Sequence, residues 1–250
     1  MVLALNATAD NDLAAVLLEV TGAAAGPVVI TRSDHNGTLT VRLADGQEPI
    51  SGGLTVRDFE VALFGVATYT VTDSAAATAS DTATMAVASP VLMAAVLPTA
   101  RQSLVAVTDY DSARDGAAMV LDVKDRPDPL IITSPLRLRA GSLSVWTGTY
   151  EDALAVEDTA ASGEVLLFRQ PTYIGMDMYF TPLSLSVKPI AMETTPARWE
   201  VTVTFKEGAP PDGPLLSAAG WNYDAHTATG MTYAQSLIAF PTYNDRVIGP

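Results

Sequence analysis

Short segments in which β-branched and aromatic residues alternate with polar ones recur along most of this chain, and turn-forming Gly, Pro, Asn and Asp cut between them. VVITR at 28–32, TLTVRL at 38–43 and TYTVTD at 68–73 show the pattern. Successive side chains of a strand point to opposite faces, so each such segment buries one face and wets the other. The fold class this dictates is all-β. A length of 250 residues is long for one sandwich and comfortable for two β-sandwich or barrel-like domains, each with its own core.

The first domain is expected over 1–89. Asp34-His35-Asn36-Gly37 supplies an Asn-Gly dipeptide between two strand patterns, which suits a tight hairpin. Asp45-Gly46 and Ser51-Gly52-Gly53 mark the next loops, and Leu54-Thr55-Val56 restarts a strand. Six or seven short strands over about 13–88 match the spacing of an immunoglobulin-like sandwich. FGVATYTVTD resembles the penultimate strand of a fibronectin type III domain, with Tyr69 where that family places a tyrosine-corner ring. Ser74 to Thr84, SAAATASDTAT, lacks bulky residues and reads as an exposed hairpin loop before a last strand MAVAS. Pro90 and Pro98 bracket the crossover.

The second domain is expected over 90–208, with strands SLVAVTDY, AAMVLDV, PLIITS, GSLSVWTGT, EVLLFRQ, DMYFTPLSLSVKPI and RWEVTVTFKE. One helix interrupts them near 150–162. Thr149 sits at its N-cap, Glu151-Asp152 in its first turn and Gly163 at its stop. This order, a strand with a Thr-rich end, a short helix opening on an acidic pair, then a strand entering Arg169, resembles the tail-assembly domain of siphophage distal-tail and minor-tail proteins. The residues that carry it are GSLSVWTGT, Tyr150-Glu151-Asp152, Gly163 and EVLLFRQP.

The remaining 209–250 opens on Pro210-Pro211 and Gly213-Pro214 and repeats Thr-Tyr units at Thr232-Tyr233 and Thr242-Tyr243. Similar units close many minor tail proteins. A short, partly helical docking tail is the reading, with Trp221, Tyr223, Tyr233, Leu237, Phe240 and Tyr243 as candidate subunit-interface residues, since so short a segment cannot bury those rings alone.

Charge and composition exclude several functions. A net charge of −14 disfavours phosphate backbones and anionic lipid, and the densest basic neighbourhood, Arg126, Arg137 and Arg139, is interleaved with Asp122, Asp125 and Asp128. The absence of cysteine removes thiolate nucleophiles, thiolate metal sites and disulfides. The longest apolar stretch, Val91 to Leu97, is far below the roughly 20 residues of a membrane-spanning helix. MVLALNATADND has no basic region and turns polar after about five residues, short of the roughly 7–15 apolar residues of a secretory leader.

Chemical constellations are likewise not apparent. His35 and His226 have no partner at ligand spacing, and no phosphate loop, GxSxG or HExxH is present. Glu151-Asp152 and Glu157-Asp158 read as a capped, solvated helix face rather than as a glycosidase pair. Asp109, Asp111 and Asp115 make half a calcium loop without its closing Glu, and the 122–128 aspartates do the same. Trp146 and Trp199 read as core or interface rings. No cofactor, metal or enzymatic activity is expected.

The resemblance implies a structural subunit at the virion tail tip, made in the host cytoplasm. It would join a homo-oligomeric ring, trimer or hexamer, to tail-tube, hub or receptor-binding proteins, without nucleic-acid contact or membrane insertion. The alternative is a carbohydrate-binding or adhesin module on the virion or cell surface.

Overall fold

The computed structural model describes residues 2–43, 52–98, 101–122, 124, 127–173, 175–190, 198–211, 213 and 215. Among the described residues the chain is all-β with one helix. Its first seven strands are β1 (Ala4–Asp10), β2 (Ala15–Thr21), β3 (Val29–Asp34), β4 (Gly37–Thr40), β5 (Gly53–Asp58), β6 (Phe64–Thr72) and β7 (Thr78–Ala86). They form two antiparallel sheets, ordered β1-β2-β5 and β4-β3-β6-β7. Alternation decides the faces. Val16, Leu18, Val20, Leu54 and Val56 of the first sheet meet Ile30, Tyr69, Val71, Ala83 and Met85 of the second in one core.

Three details differ from the sequence reading. The N-terminal segment, read only for what it lacked as a leader, is the edge strand β1, with Ala7 turned into the core. The Ser74–Thr84 segment is not a loop. β7 begins at Thr78, and the turn before it is Asp73–Ala77, held by Asp73 accepting from the amides of Ala75, Ala77 and Ala24. Small residues suffice in β7 because the side chains it turns to the core are Ala79, Ala83 and Met85, while Asp81 accepts the Ala7 amide at 2.8 Å. The third detail is Tyr69. Its hydroxyl reaches the Asp58 carboxylate at 3.0 Å instead of the upstream backbone carbonyl of a tyrosine corner.

The second half builds on β8 (Val91–Ala94), β9 (Arg101–Ser103), β10 (Ala106–Ala113), β11 (Met119–Leu121), β12 (Leu130–Ile132), β13 (Ala140–Thr147), α1 (Tyr150–Ala161), β14 (Leu166–Arg169), β15 (Met178–Pro189) and β16 (Trp199–Glu207). Seven of these strands make one antiparallel sheet in the order β10-β13-β16-β15-β14-β8-β9. Its two end strands, β9 and β10, are joined by Leu104 and Val105 alone. The sheet therefore rolls round on itself. The linker continues both ladders, Leu104 donating to the Pro90 carbonyl at 2.9 Å and Val105 to that of Trp146 at 2.8 Å. Inside the roll lie Leu143, Val145, Phe168, Phe180, Val201, Val203 and Phe205, against Ala153 and Val156 of α1.

The local rules for α1 are met. Thr149 accepts from the Asp152 amide at 3.1 Å and Asp152 accepts from that of Thr149 at 3.0 Å, a reciprocal capping box. Gly163, at φ +79°, turns the chain out of the helix. Gly141 has a different reason: a Cβ there would lie 1.9 Å from the Asp111 carbonyl oxygen, so the close approach of β10 and β13 requires glycine.

Candidate assembly surface and the interdomain junction

The segments AAMVLDV and PLIITS do not join the main sheet. Met119–Leu121 and Leu130–Ile132 pair with each other, Val120 opposite Ile131, in a separate two-stranded ribbon that leaves the sheet after β10 and returns at β13. Every residue of both strands is exposed, Met119 by 53%, Val120 by 59% and Ile131 by 57%, and Leu136 and Leu138 beyond it are exposed too. Water thus faces both sides of six apolar residues. An isolated two-stranded ribbon is marginal in water, and exposed apolar side chains contribute nothing until something covers them. A sequence signal was present: MVL and LII are apolar without alternation, which means burial on both faces, and among the described residues neither face is covered.

The base of this arm is fixed. Arg139 donates from Nε to Glu207 at 2.9 Å, from Nη2 to its other carboxylate oxygen at 2.7 Å and from Nη1 to the Gly175 carbonyl at 2.8 Å and the Tyr110 hydroxyl at 3.2 Å. The hydrogen bonds from Arg139 hold the Glu207 carboxyl below its usual range.

A second polar assembly lies where the two halves meet. Apolar contacts run across the seam, Ala15 and Phe59 against Met93, Ala95 and Leu167, and Ala14 and Leu63 against Val91. Arg169, 1% exposed at the end of β14, crosses it and donates from Nη1 to the carbonyls of Val61 at 2.7 Å and Ala14 at 3.0 Å. Burial pushes this guanidinium down to about 10. Arg101 donates to the carbonyls of Leu13 and Asp12 in the same turn. At the other end Arg42 bonds Glu60 and the carbonyls of Ala95 and Pro211, and Asn36 donates to Asp177 at 2.8 Å.

Behind this seam the N-terminal core carries a buried ionic network. Arg32 donates to both Asp58 oxygens at 2.9 and 2.8 Å and stands 2.9 Å from Asp34, although its Nε–H is not directed at an acceptor. Burial alone would depress Arg32, but the carboxylates of Asp58 and Asp34 outweigh it and raise the guanidinium pKa. Burial, reinforced by the adjacent Asp58 charge, raises Tyr69 far above the usual phenol range. Burial also raises Asp177, against the bonds from Asn36 and the Gln170 amide.

The six tail residues singled out from the sequence, Trp221, Tyr223, Tyr233, Leu237, Phe240 and Tyr243, lie outside the described residues, as do His226, Asp125 and Arg126. Asp109 and Asp111 are exposed on β10, and among the described residues no group of three or more His, Asp or Glu side chains is placed to hold a metal. Trp146 is not a core ring. It lies on the opposite face of β13 from Leu143 and Val145, with the Arg198 guanidinium 5.7 Å from its ring centre. Trp199 packs partly against the core, its ring 4.5 Å from that of Tyr150. Among the described residues no helix is long and apolar enough to cross a membrane.

Neither a protein-family model nor a curated protein sequence matches this chain.

Proposed function

We propose that the protein is a structural subunit that assembles with further copies of itself through the β11–β12 arm, in a phage tail tip of the distal-tail or minor-tail type. The observation that carries the assembly reading is the arm: a two-stranded ribbon of six apolar residues, exposed on both faces and anchored rigidly at Arg139. Fully covering a side chain of this size contributes roughly 1.5–3 kcal/mol, so a partner surface closing over the ribbon gains a substantial association energy. Charge favours a second copy as that partner. Segment 114–139 carries five of the 14 basic residues and only four of the 28 acidic ones, leaving an acidic body for a neighbour's arm to meet. The tail-tip reading is supported by the order of β13, the capped helix α1 and β14 ending at Arg169, the order in which the chain resembles that family.

Light scattering and negative-stain microscopy on the full chain test it. Discrete rings are expected, and replacing 118–134 by a short Gly-Ser turn is expected to give a monomer that still unfolds cooperatively, at a temperature lowered only by the lost association. A chain that stays monomeric at high concentration, or rings that persist without the arm, would sink the proposal.

A further inference from the structure

The tip of the β3–β4 hairpin, His35 and Asn36, stands beside a cleft of about 420 Å³ between the two halves of the molecule. This lies within the roughly 300–1,000 Å³ of small-molecule sites. Its lining excludes several ligand classes. Arg169 lines the cleft as well, but the three guanidinium groups in and beside it, Arg32, Arg42 and Arg169, stand among four carboxylates, Asp34, Asp58, Glu60 and Asp177, so a phosphate or other strong anion meets no net positive charge. Glu60 and Asp177 are engaged by Arg42 and Asn36, so neither is a free ligand for a cation. A wholly apolar ligand would desolvate the amide and carboxylates without pairing them.

What remains is a neutral ligand rich in hydroxyls, and the spare hydrogen-bonding capacity is arranged for one. Asn36 Nδ2 donates to Asp177 Oδ2 at 2.8 Å in a solvent-exposed bond, and Asp177 Oδ1 accepts the Gln170 amide at 2.9 Å. An amide has two N–H groups and a carbonyl, and a carboxylate about four acceptor sites. One N–H, the amide oxygen and further carboxylate lone pairs are therefore left side by side, donors next to acceptors, which is what adjacent hydroxyls of a pyranose require. Beside them is a fixed ring. The His35 imidazole stacks on Phe64 with centroids 4.4 Å apart and planes at 29°. Leu39 and Met178 supply apolar surface for the C–H face of a sugar.

We propose that this interdomain cleft binds a single neutral sugar unit, with Asn36 and Asp177 holding two of its hydroxyls and His35 against its ring. The site is independent of the arm and does not rest on the assembly reading.

Saturation-transfer NMR on the full chain tests it, using the methyl glycosides of glucose, galactose, mannose, rhamnose and N-acetylglucosamine as probes. Transfer to at least one of them with a Kd of about 1 mM is expected. Leu39→Trp, at a partly exposed position, is expected to fill the mouth and abolish transfer with the thermal transition unchanged. Asn36→Ala is expected to weaken binding by about tenfold, the loss of one good hydrogen bond. Trp146→Ala, on the outer face of β13, should leave binding as it is. No transfer to any of these glycosides at about 20 mM, or transfer indifferent to both Leu39→Trp and Asn36→Ala, would overturn the assignment.

Discussion

Arg169 donates to the carbonyl oxygen of Ala14 at 3.0 Å, and these two residues, 155 positions apart, join the two halves of the molecule. Ala14 adopts φ +50°, an uncommon conformation for a residue with a Cβ. The turn is held there because three of its carbonyls, those of Asp12, Leu13 and Ala14, are taken by guanidinium groups of the second half. Arg169→Ala would leave the Ala14 and Val61 carbonyls without donors in a dry seam. At about 1–3 kcal/mol for each unsatisfied group, a loss of roughly 2–6 kcal/mol is expected, read as a lower urea midpoint. A loss below about 1 kcal/mol would mean that the seam relaxes or admits water around the vacancy.

The phenols give a pH signature. Burial raises both Tyr69 and Tyr179 well above the usual value of 10.0, helped at Tyr69 by Asp58 and at Tyr179 by Glu60. A folded-state pKa raised above the unfolded one means that the folded protein holds the proton more tightly. The contribution is complete below about pH 10 and is lost as pH rises toward the folded values. Of eight tyrosines, these two should stay protonated in an absorbance titration until the protein unfolds, and Tyr69→Phe should flatten the alkaline limb of the stability profile while lowering neutral stability through loss of the bond to Asp58. Early, reversible titration of all the phenols would contradict the buried placement.

Much of this architecture could be read from alternation and capping. The tight turn at His35-Asn36, the strand through Tyr69 and the helix flanked by Thr149 and Gly163 all rest on interactions within a few residues of one another, which a sequence displays directly. The ionic network does not. Arg32 lies in the inward register of VITRSD, beside Ile30, where alternation asks for an apolar residue, and its partner Asp58 is 26 positions away. The cleft is less legible still, since Asn36 and Asp177 are 141 positions apart and meet only because the two halves pack as they do. The ribbon misled for another reason. Its residues have strand propensity and do form strands, but periodicity cannot tell a strand that joins the main sheet from one that pairs away from it.

Glu207 provides the acid counterpart. Its carboxyl is held below 4.5 chiefly by Arg139, so its contribution to stability is present above that value and lost as pH falls through the lower folded one. Glu207→Gln should flatten the acid limb of the stability profile while leaving neutral stability reduced. Hydrogen exchange should quicken at Ala140 to Leu143, where Arg139 anchors the root of the arm. An unchanged acid limb would show that other carboxylates control it.

The arm itself separates folding from assembly. Val120 and Ile131 face each other across the ribbon and touch no core, so charging them should cost the isolated chain little, within about 0.5 kcal/mol for a surface change. Val120→Asp with Ile131→Asp puts like charges directly opposite and opens the ribbon, and any partner covering it would have to desolvate both carboxylates. The expected result is a soluble monomer that unfolds cooperatively at the same temperature as the chain with 118–134 replaced, below the assembled wild type only by the lost association. Gly141→Ala should behave differently, because its Cβ collides with the Asp111 carbonyl and forces β10 away from β13. That variant should lose stability and assembly together. If the double aspartate variant instead unfolds as readily as Gly141→Ala, the ribbon belongs to the fold of the single chain rather than to a contact between copies.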